Sequence, residues 1–161
     1  MINNSNPGLT FEPWKGKNYE NSGFGKILLL GESHYEKGIE NPLFTKEIIE
    51  EFLSGEQGKG YTIYANIGYL FSNDCRSIWN EIAFSNLIQN YVPDAQADPQ
   101  KEDFYKITSV FWLLLESLLP DKVIVCSKGI WNDWVPSNSD NSNKKCIKKG
   151  EISENSMRSN L

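Results

Sequence analysis

A short strand-like run at residues 26–30, which is apolar after Lys26, and the polar turn that follows it constrain the fold most strongly. A strand of a parallel sheet reads as a continuous apolar run, because helices bury both of its faces. The turn after this run carries Gly31, Glu32, Ser33, His34 and Tyr35. Open α/β sheets bind ligands at the carboxyl ends of their strands, so we expect residues 31–35 to form the first candidate site.

Alternating strands and helices extend this pattern along the chain. Apolar residues at helical spacing predict helices over residues 42–53 and 104–119, the second ended by Pro120. We expect a second buried strand at 122–126 and a short strand at 86–92 that Pro93 ends. The order strand, helix, strand, helix, strand predicts a three-layer α/β/α fold with a central, mainly parallel sheet and right-handed crossovers.

The remaining segments are assigned from their composition. Residues 1–25 are expected to form an ordered loop over the core, and the Gly- and aromatic-rich residues 55–73 a long loop or short helices. Short helices are predicted at 77–84 and 130–135, and a surface loop at 94–102. We expect a single domain over residues 1–135. Residues 136–161 are polar and are predicted to be a disordered tail, with an edge strand near 146–152 as the alternative.

Composition narrows the class of protein. A chain of 161 residues with 39% hydrophobic residues can bury a core without disulfides, and a net charge of −5 gives no general attraction to phosphate backbones. Three widely spaced cysteines are unlike a disulfide framework or a paired-cysteine zinc site, and a single histidine excludes a two-histidine zinc site. We expect no metal and no cofactor. With no long apolar run, the sequence predicts a cytoplasmic protein that does not enter membranes.

Three sequence blocks occur in an order that resembles the uracil-DNA glycosylase superfamily. They are LGESHY at residues 30–35, WNEIAFSN at 79–86 and PDKVIVCSK at 120–128, and the similarity spans roughly residues 10–135. The resemblance implies a uracil-DNA glycosylase-like α/β fold. It also implies hydrolysis of the N-glycosidic bond to a flipped-out base in DNA, a reaction that requires no metal.

The resemblance also implies roles for individual residues. In that family the first block is the turn that activates water and binds the base, and the second supplies an asparagine that reads the base. Transferred to this chain, Glu32 is the catalytic carboxylate, Asn86 reads the base, and Tyr35 filters the base by shape. Ser33 lines the same pocket, and His34, in the same turn, is a second candidate catalytic group.

The chemistry of bond cleavage suits these residue types. Breaking an N-glycosidic bond leaves positive charge on the sugar and negative charge on the base, so a carboxylate and an amide donor favour the transition state. An aromatic ring that stacks on the flipped base compensates for its lost stacking. Phe71, Tyr69 and Tyr64 are open to this role, and Phe71 is our candidate substrate-binding residue among them.

Several alternatives remain open, because the family also uses a histidine-bearing turn near the carboxyl terminus and this chain has no histidine after His34. The chain is then an inactive relative, a non-catalytic module that binds nucleotides, nucleic acid or a protein, or a truncated version of a longer glycosylase-like protein. Its expected partner is DNA or a free nucleobase or nucleotide. No oligomeric state is predicted.

A less favoured hypothesis comes from the first block alone. Gly31, Glu32 and Ser33 after an apolar strand also resemble the nucleophile block of GDSL-type esterases, with Ser33 as the nucleophile. Such an enzyme needs a histidine later in the chain as its base, and His34 adjoins the nucleophile too closely to serve easily.

Overall fold

A four-stranded mixed sheet forms the centre of the computed structural model, which describes residues 8–35, 41–56, 58–92 and 101–134. The strands are β1 (Trp14–Lys15), β2 (Ile27–Gly31), β3 (His34–Tyr35), β4 (Ile82–Asn86), β5 (Tyr91–Val92) and β6 (Lys122–Val125). The main sheet has the order β1-β4-β2-β6, in which β4, β2 and β6 are parallel and β1 is antiparallel. Strands β3 and β5 form a separate parallel pair.

Within these ranges, four α-helices and four 3₁₀ turns connect the strands. The helices are α1 (Phe44–Ser54), α2 (Thr62–Tyr69), α3 (Ile107–Leu118) and α4 (Lys128–Asp133). The 3₁₀ turns are Tyr19–Asn21, Lys59–Tyr61, Ser77–Asn80 and Lys101–Phe104. None of the helices in the described ranges is both long enough and apolar enough to span a bilayer.

The two faces of the sheet carry separate apolar clusters. Side chains alternate along a strand, so Ile27 and Leu29 of β2 point to one face and Leu28 and Leu30 to the other. The first face packs against α1 and α2, and the second against α3 and α4. Helices therefore cover both faces of a mostly parallel sheet, which confirms the predicted α/β class.

The helix termini follow from local chemistry. Helix α1 ends at Gly55, which has a φ of 104° and whose backbone N–H donates to carbonyls of the last turn. Helix α3 ends at Leu119, also in the left-handed region with a φ of 47°, and Pro120 follows. The helices predicted over 42–53 and 104–119 are thus confirmed with their boundaries shifted by a few residues.

The prediction for the middle of the chain was wrong. Residues 77–84 were expected to be helical and 86–92 to form a strand, but helical turns stop at Asn80 and the parallel strand is β4. All five residues of β4 are buried, so the segment shows no alternation of polar and apolar residues. In the second predicted segment, the strand residues are Asn86, which ends β4, and Tyr91 and Val92 of β5.

Several predictions concern parts of the chain outside the described residues. The polar tail at 136–161 with its alternative edge strand, most of the loop at 94–102, and the end of the helix at 130–135 belong to this group. The segment before β2 contains one strand, β1, that the sequence did not indicate. It lies at the sheet edge, where Trp14 pairs with Phe84 and Lys15 with Ala83.

Candidate functional site

The carboxyl ends of β2 and β4 lie side by side. Gly31 is the register partner of Asn86. The two chains stay hydrogen-bonded beyond the sheet, since the backbone N–H of Leu87 donates to the Gly31 carbonyl at 3.2 Å and that of Ile88 to the Glu32 carbonyl at 2.8 Å. Two of the predicted site residues, Glu32 directly after β2 and Asn86 at the end of β4, are therefore fixed at one edge of the sheet.

Asn86 is only 4% exposed and closely packed. Its side-chain Oδ1 lies beside Gly31, where an added Cβ would come within 2.1 Å of that oxygen. Its backbone carbonyl accepts hydrogen bonds from Ser85 Oγ and Gln89 Nε2. The described residues form no hydrogen bond with its side-chain amide, so this group keeps its capacity to donate and to accept.

The Glu32 side chain extends toward the third strand of the parallel set. The backbone N–H of Cys126, directly after β6, donates to the Leu30 carbonyl at 2.8 Å and brings the start of α4 to this edge. Ser127 caps α4 by accepting from the Ile130 N–H at 3.1 Å. The Glu32 carboxylate lies against the first turn of α4, where a Cβ added to Gly129 would be 2.2 Å from Glu32 Oε1.

Ser33 directly follows Glu32 in the chain and is 8% exposed. Within the described ranges its Oγ is the one buried side-chain oxygen or nitrogen that lacks a hydrogen-bond partner. Buried polar groups are nearly always paired, and an unpaired one needs an explanation. A ligand at this edge with a hydrogen-bond donor or acceptor would explain the unpaired Ser33 hydroxyl, because it would supply the missing partner.

His34 occupies a closed aromatic environment. Its ring makes edge contacts with Phe11 and Phe44, each at 4.9 Å between centroids, and its Nε2 shares a 2.8 Å hydrogen bond with Thr45 Oγ1. Burial lowers the pKa of His34 to about 4, so the ring is neutral at physiological pH. His34 is thus held as a neutral ring packed into the core, which limits the acid–base role proposed for it.

The esterase hypothesis gains no support from this arrangement. His34 is the only histidine of the chain and bonds to Thr45, while Ser33 Oγ has no partner among the described residues. Cys126 offers no obvious alternative nucleophile, because burial raises the pKa of its thiol to about 11.

Tyr35 and Phe71, the two aromatic candidates, lie in different places. Tyr35 is 43% exposed in β3, next to Val92 of β5, and continues from the same turn as Glu32. Phe71 instead lines a cavity of about 300 Å³ with Phe24 and Glu81, which precede β2 and β4. A five-residue strand spans about 13 Å, so Phe71 lies at the opposite end of the sheet from Asn86.

The other two stacking candidates do not join the site either. Tyr64 is buried among Phe52, Trp79 and Phe84, and burial raises the pKa of its hydroxyl. Tyr69 is 60% exposed, in the last turn of α2. The structure therefore brings together Glu32, Ser33, Asn86 and the start of α4, with Tyr35 nearby, and leaves Phe71 apart.

Two contacts of the site escaped the sequence analysis. Thr45 is a fully buried polar residue on the inner face of α1. Its hydroxyl among the apolar residues of that face was the feature of the sequence that could have indicated this contact. Gly129 is the second residue of a helix, where glycine is unfavourable without a packing reason. Thr45 forms a hydrogen bond with His34, and Gly129 lies against the Glu32 carboxylate.

A second cavity of the described residues lies away from this edge, and these residues suggest no metal site. A groove of about 490 Å³ runs along β1 and is lined by residues of α1, α3 and the β1 segment, without Glu32, Ser33 or Asn86. Across the described ranges, no three histidine, cysteine, aspartate or glutamate residues come together in a way that could hold a metal ion. The edge group is thus distinct from both cavities.

Comparisons with known proteins add no relative to this description. Neither models of protein families, nor curated proteins, nor solved structures match the chain.

Proposed function

We propose that the carboxyl edge of β2 and β4 is the base-binding site of a uracil-DNA glycosylase-like protein, which hydrolyses the N-glycosidic bond to a flipped-out base in DNA. One observation carries this proposal. Glu32, directly after β2, and Asn86, the last residue of β4, are fixed side by side by the register of Gly31 with Asn86 and by the hydrogen bond from the Ile88 N–H to the Glu32 carbonyl. A carboxylate and an amide at one edge are the two groups that this reaction uses.

The proposed roles follow from hydrogen-bonding capacity. An asparagine amide both donates and accepts, and so complements the edge of a pyrimidine such as uracil, which presents an N–H beside carbonyl oxygens. Glu32 would stabilise positive charge on the sugar or take a proton from the attacking water. The Ser33 hydroxyl would pair with the bound base, and Tyr35 would limit its size. Phe71 has no part here, because it lies at the other end of the sheet.

A second candidate function is binding without cleavage, and the state of His34 favours it. A ring with a pKa near 4 that bonds to Thr45 is not an imidazolium at neutral pH, so it is not a general acid that could protonate a leaving base. Catalysis would then depend on Glu32 without a charged histidine. A module that recognises a nucleobase or nucleotide needs only Asn86, Ser33 and the shape of the edge.

Two measurements on the same set of variants test both functions. Calorimetry with free uracil reports binding, and cleavage of single- and double-stranded oligonucleotides that contain uracil reports hydrolysis. Asn86→Ala should abolish uracil binding, whereas Glu32→Gln should retain binding and remove cleavage. Asn21→Ala and Glu116→Gln, at exposed positions away from this edge, serve as matched controls.

The outcomes separate the candidates. Binding with cleavage that Glu32→Gln removes supports the glycosylase. Binding that depends on Asn86, with no cleavage by the wild-type protein, supports the binding module. If the wild-type protein neither binds nor cleaves, or if Asn86→Ala binds uracil as well as Asn21→Ala does, the assignment of this edge as a base site is wrong.

A further inference from the structure

We infer that Gly129, in the first turn of α4, is a positioning residue that sets where the Glu32 carboxylate lies. This inference rests on the proposed function of the Glu32 edge and adds a second element to it. Nothing in the sequence blocks around Glu32 points to residue 129. The contact between Gly129 and Glu32 arises because β6 pairs with β2, which brings α4 beside the turn after β2.

The space around Gly129 supports the inference. A Cβ built there would be 2.2 Å from Glu32 Oε1 and 3.2 Å from Glu32 Cδ, and its three nearest neighbours all belong to Glu32. Cβ atoms in proteins do not approach other heavy atoms this closely. Any side chain at residue 129 would therefore displace the carboxylate.

Backbone conformation gives no other reason for glycine at this position. The glycines with positive φ in the described ranges are Gly8, Gly25 and Gly55, so Gly129 adopts a conformation open to alanine. Glycine inside a helix is less stable than alanine. Helix α4 thus carries a glycine where its first turn meets the Glu32 carboxylate.

Other glycines differ from Gly129 in what a Cβ would contact. A Cβ on Gly16 or Gly68 would strike backbone atoms of Asn80 or Cys75, so those glycines allow two segments of main chain to approach. A Cβ on Gly129 would meet a single side chain, and a functional one. Gly31 behaves similarly toward Asn86 Oδ1, although its Cβ would also approach the Phe84 ring at 2.9 Å.

The test combines changes at residues 129 and 32. Gly129→Ala should slow the cleavage of oligonucleotides that contain uracil by on the order of tenfold or more, because small displacements of a catalytic group are costly. It should leave the binding of free uracil unchanged, as Glu32→Gln does. Adding Glu32→Asp, whose carboxylate is one methylene shorter, should restore most of the cleavage rate. Adding Glu32→Gln, which removes the carboxylate, should not. Gly60→Ala is the matched control, since nothing lies within 4 Å of its Cβ.

Cleavage by Gly129→Ala at the wild-type rate would overturn the inference, as would a double variant with Glu32→Asp that cleaves no faster than Gly129→Ala alone. A thermal denaturation cycle is independent of the ligand and keeps the two proposals separable. Gly129→Ala should raise the melting temperature in a Glu32→Ala background, where the space is empty, and lower it in the otherwise wild-type protein. Equal shifts in both backgrounds overturn the inference even if the wild-type protein fails to bind uracil.

Discussion

The two ends of the central sheet treat their polar groups differently. At the amino end, the Lys26 N–H donates to Asp121 Oδ2 at 2.8 Å, the Asp121 N–H returns a bond to the Lys26 carbonyl, and Lys122 Nζ reaches the Phe24 carbonyl. At the carboxyl end, the buried Ser33 Oγ has no hydrogen-bond partner within the described ranges. Polar groups at the amino end of the sheet are thus paired by hydrogen bonds within the protein, whereas a buried polar group at the carboxyl end is left unpaired.

This difference separates groups that stabilise the fold from groups that serve a ligand. Polar groups paired within the protein contribute to the free energy of unfolding, while buried unpaired groups lower it unless a ligand completes them. Substitutions at the two ends should therefore change stability in opposite directions.

The largest effect is expected from Trp79, which lies just before β4 at the amino end. It is fully buried, its ring contacts Tyr64 and Phe84, and its Nε1 donates to the Tyr64 carbonyl. Trp79→Ala should lower the free energy of unfolding by about 4 kcal/mol, through the cavity it leaves. Urea denaturation measures the change, with Trp112→Ala at a half-exposed position as the control. A loss no larger than that of the control would contradict the packing described.

The next effect depends on pH and concerns His34, beside the carboxyl end. Its folded pKa of about 4 lies below the ordinary value of 6.5, so the folded protein binds the proton less tightly than the unfolded chain. This contribution is intact above pH 6.5 and is lost as the pH falls from 6.5 through 4, by about 3 kcal/mol in full. Urea denaturation from pH 7 to 4 should show a steeper loss for wild type than for His34→Gln. Parallel curves would show that His34 is not buried.

Asp121 provides a smaller test at the amino end. Asp121→Ala removes the acceptor of the Lys26 N–H and should lower stability by about 1 kcal/mol. Asp121→Asn retains an oxygen acceptor and should recover part of the loss in the same urea assay. If both variants match wild type, the hydrogen bonds at this end do not contribute, and the contrast between the two ends disappears.

The smallest effect, with the opposite sign, is expected from Ser33. Removing a buried hydroxyl that lacks a partner should leave stability unchanged or raise it by up to about 1 kcal/mol. The measurement is the urea midpoint of Ser33→Ala in the absence of ligand. With saturating uracil, wild type should gain more stability than Ser33→Ala does. A clear loss of stability without ligand would mean that Ser33 already has a partner within the chain.

The sequence predicted helices α1 and α3 and strands β2 and β6 well, because their patterns are local. Residues 27–30 are continuously apolar, and α3 repeats its apolar residues at helical spacing, so each pattern identifies its element without knowledge of the rest. Strand β4 was misplaced because all five of its residues are buried and a helical turn runs directly into it. Strand β1 has two residues and depends on pairing with β4.

The residues of the candidate site also differ in whether a local sequence pattern could place them. Glu32 and Asn86 could be placed together, since the carboxyl ends of parallel strands meet at one edge. The position of Phe71 could not be predicted, because the path of residues 70–76 is set by close packing of Gly68 on Cys75. The contact between Glu32 and Gly129 joins segments that are distant in sequence, and no local pattern reports it.

The central position of β2 also affects how the chain folds during synthesis. Ile27 pairs with Ile82 on one side and Lys122 on the other, so both neighbours of the earliest long strand leave the ribosome much later. Non-local pairing of this kind slows folding and leaves an apolar strand with two open edges in the meantime. Conditions that lengthen this interval, such as slow translation between residues 31 and 122, should favour aggregation of the nascent chain even where the finished protein is stable.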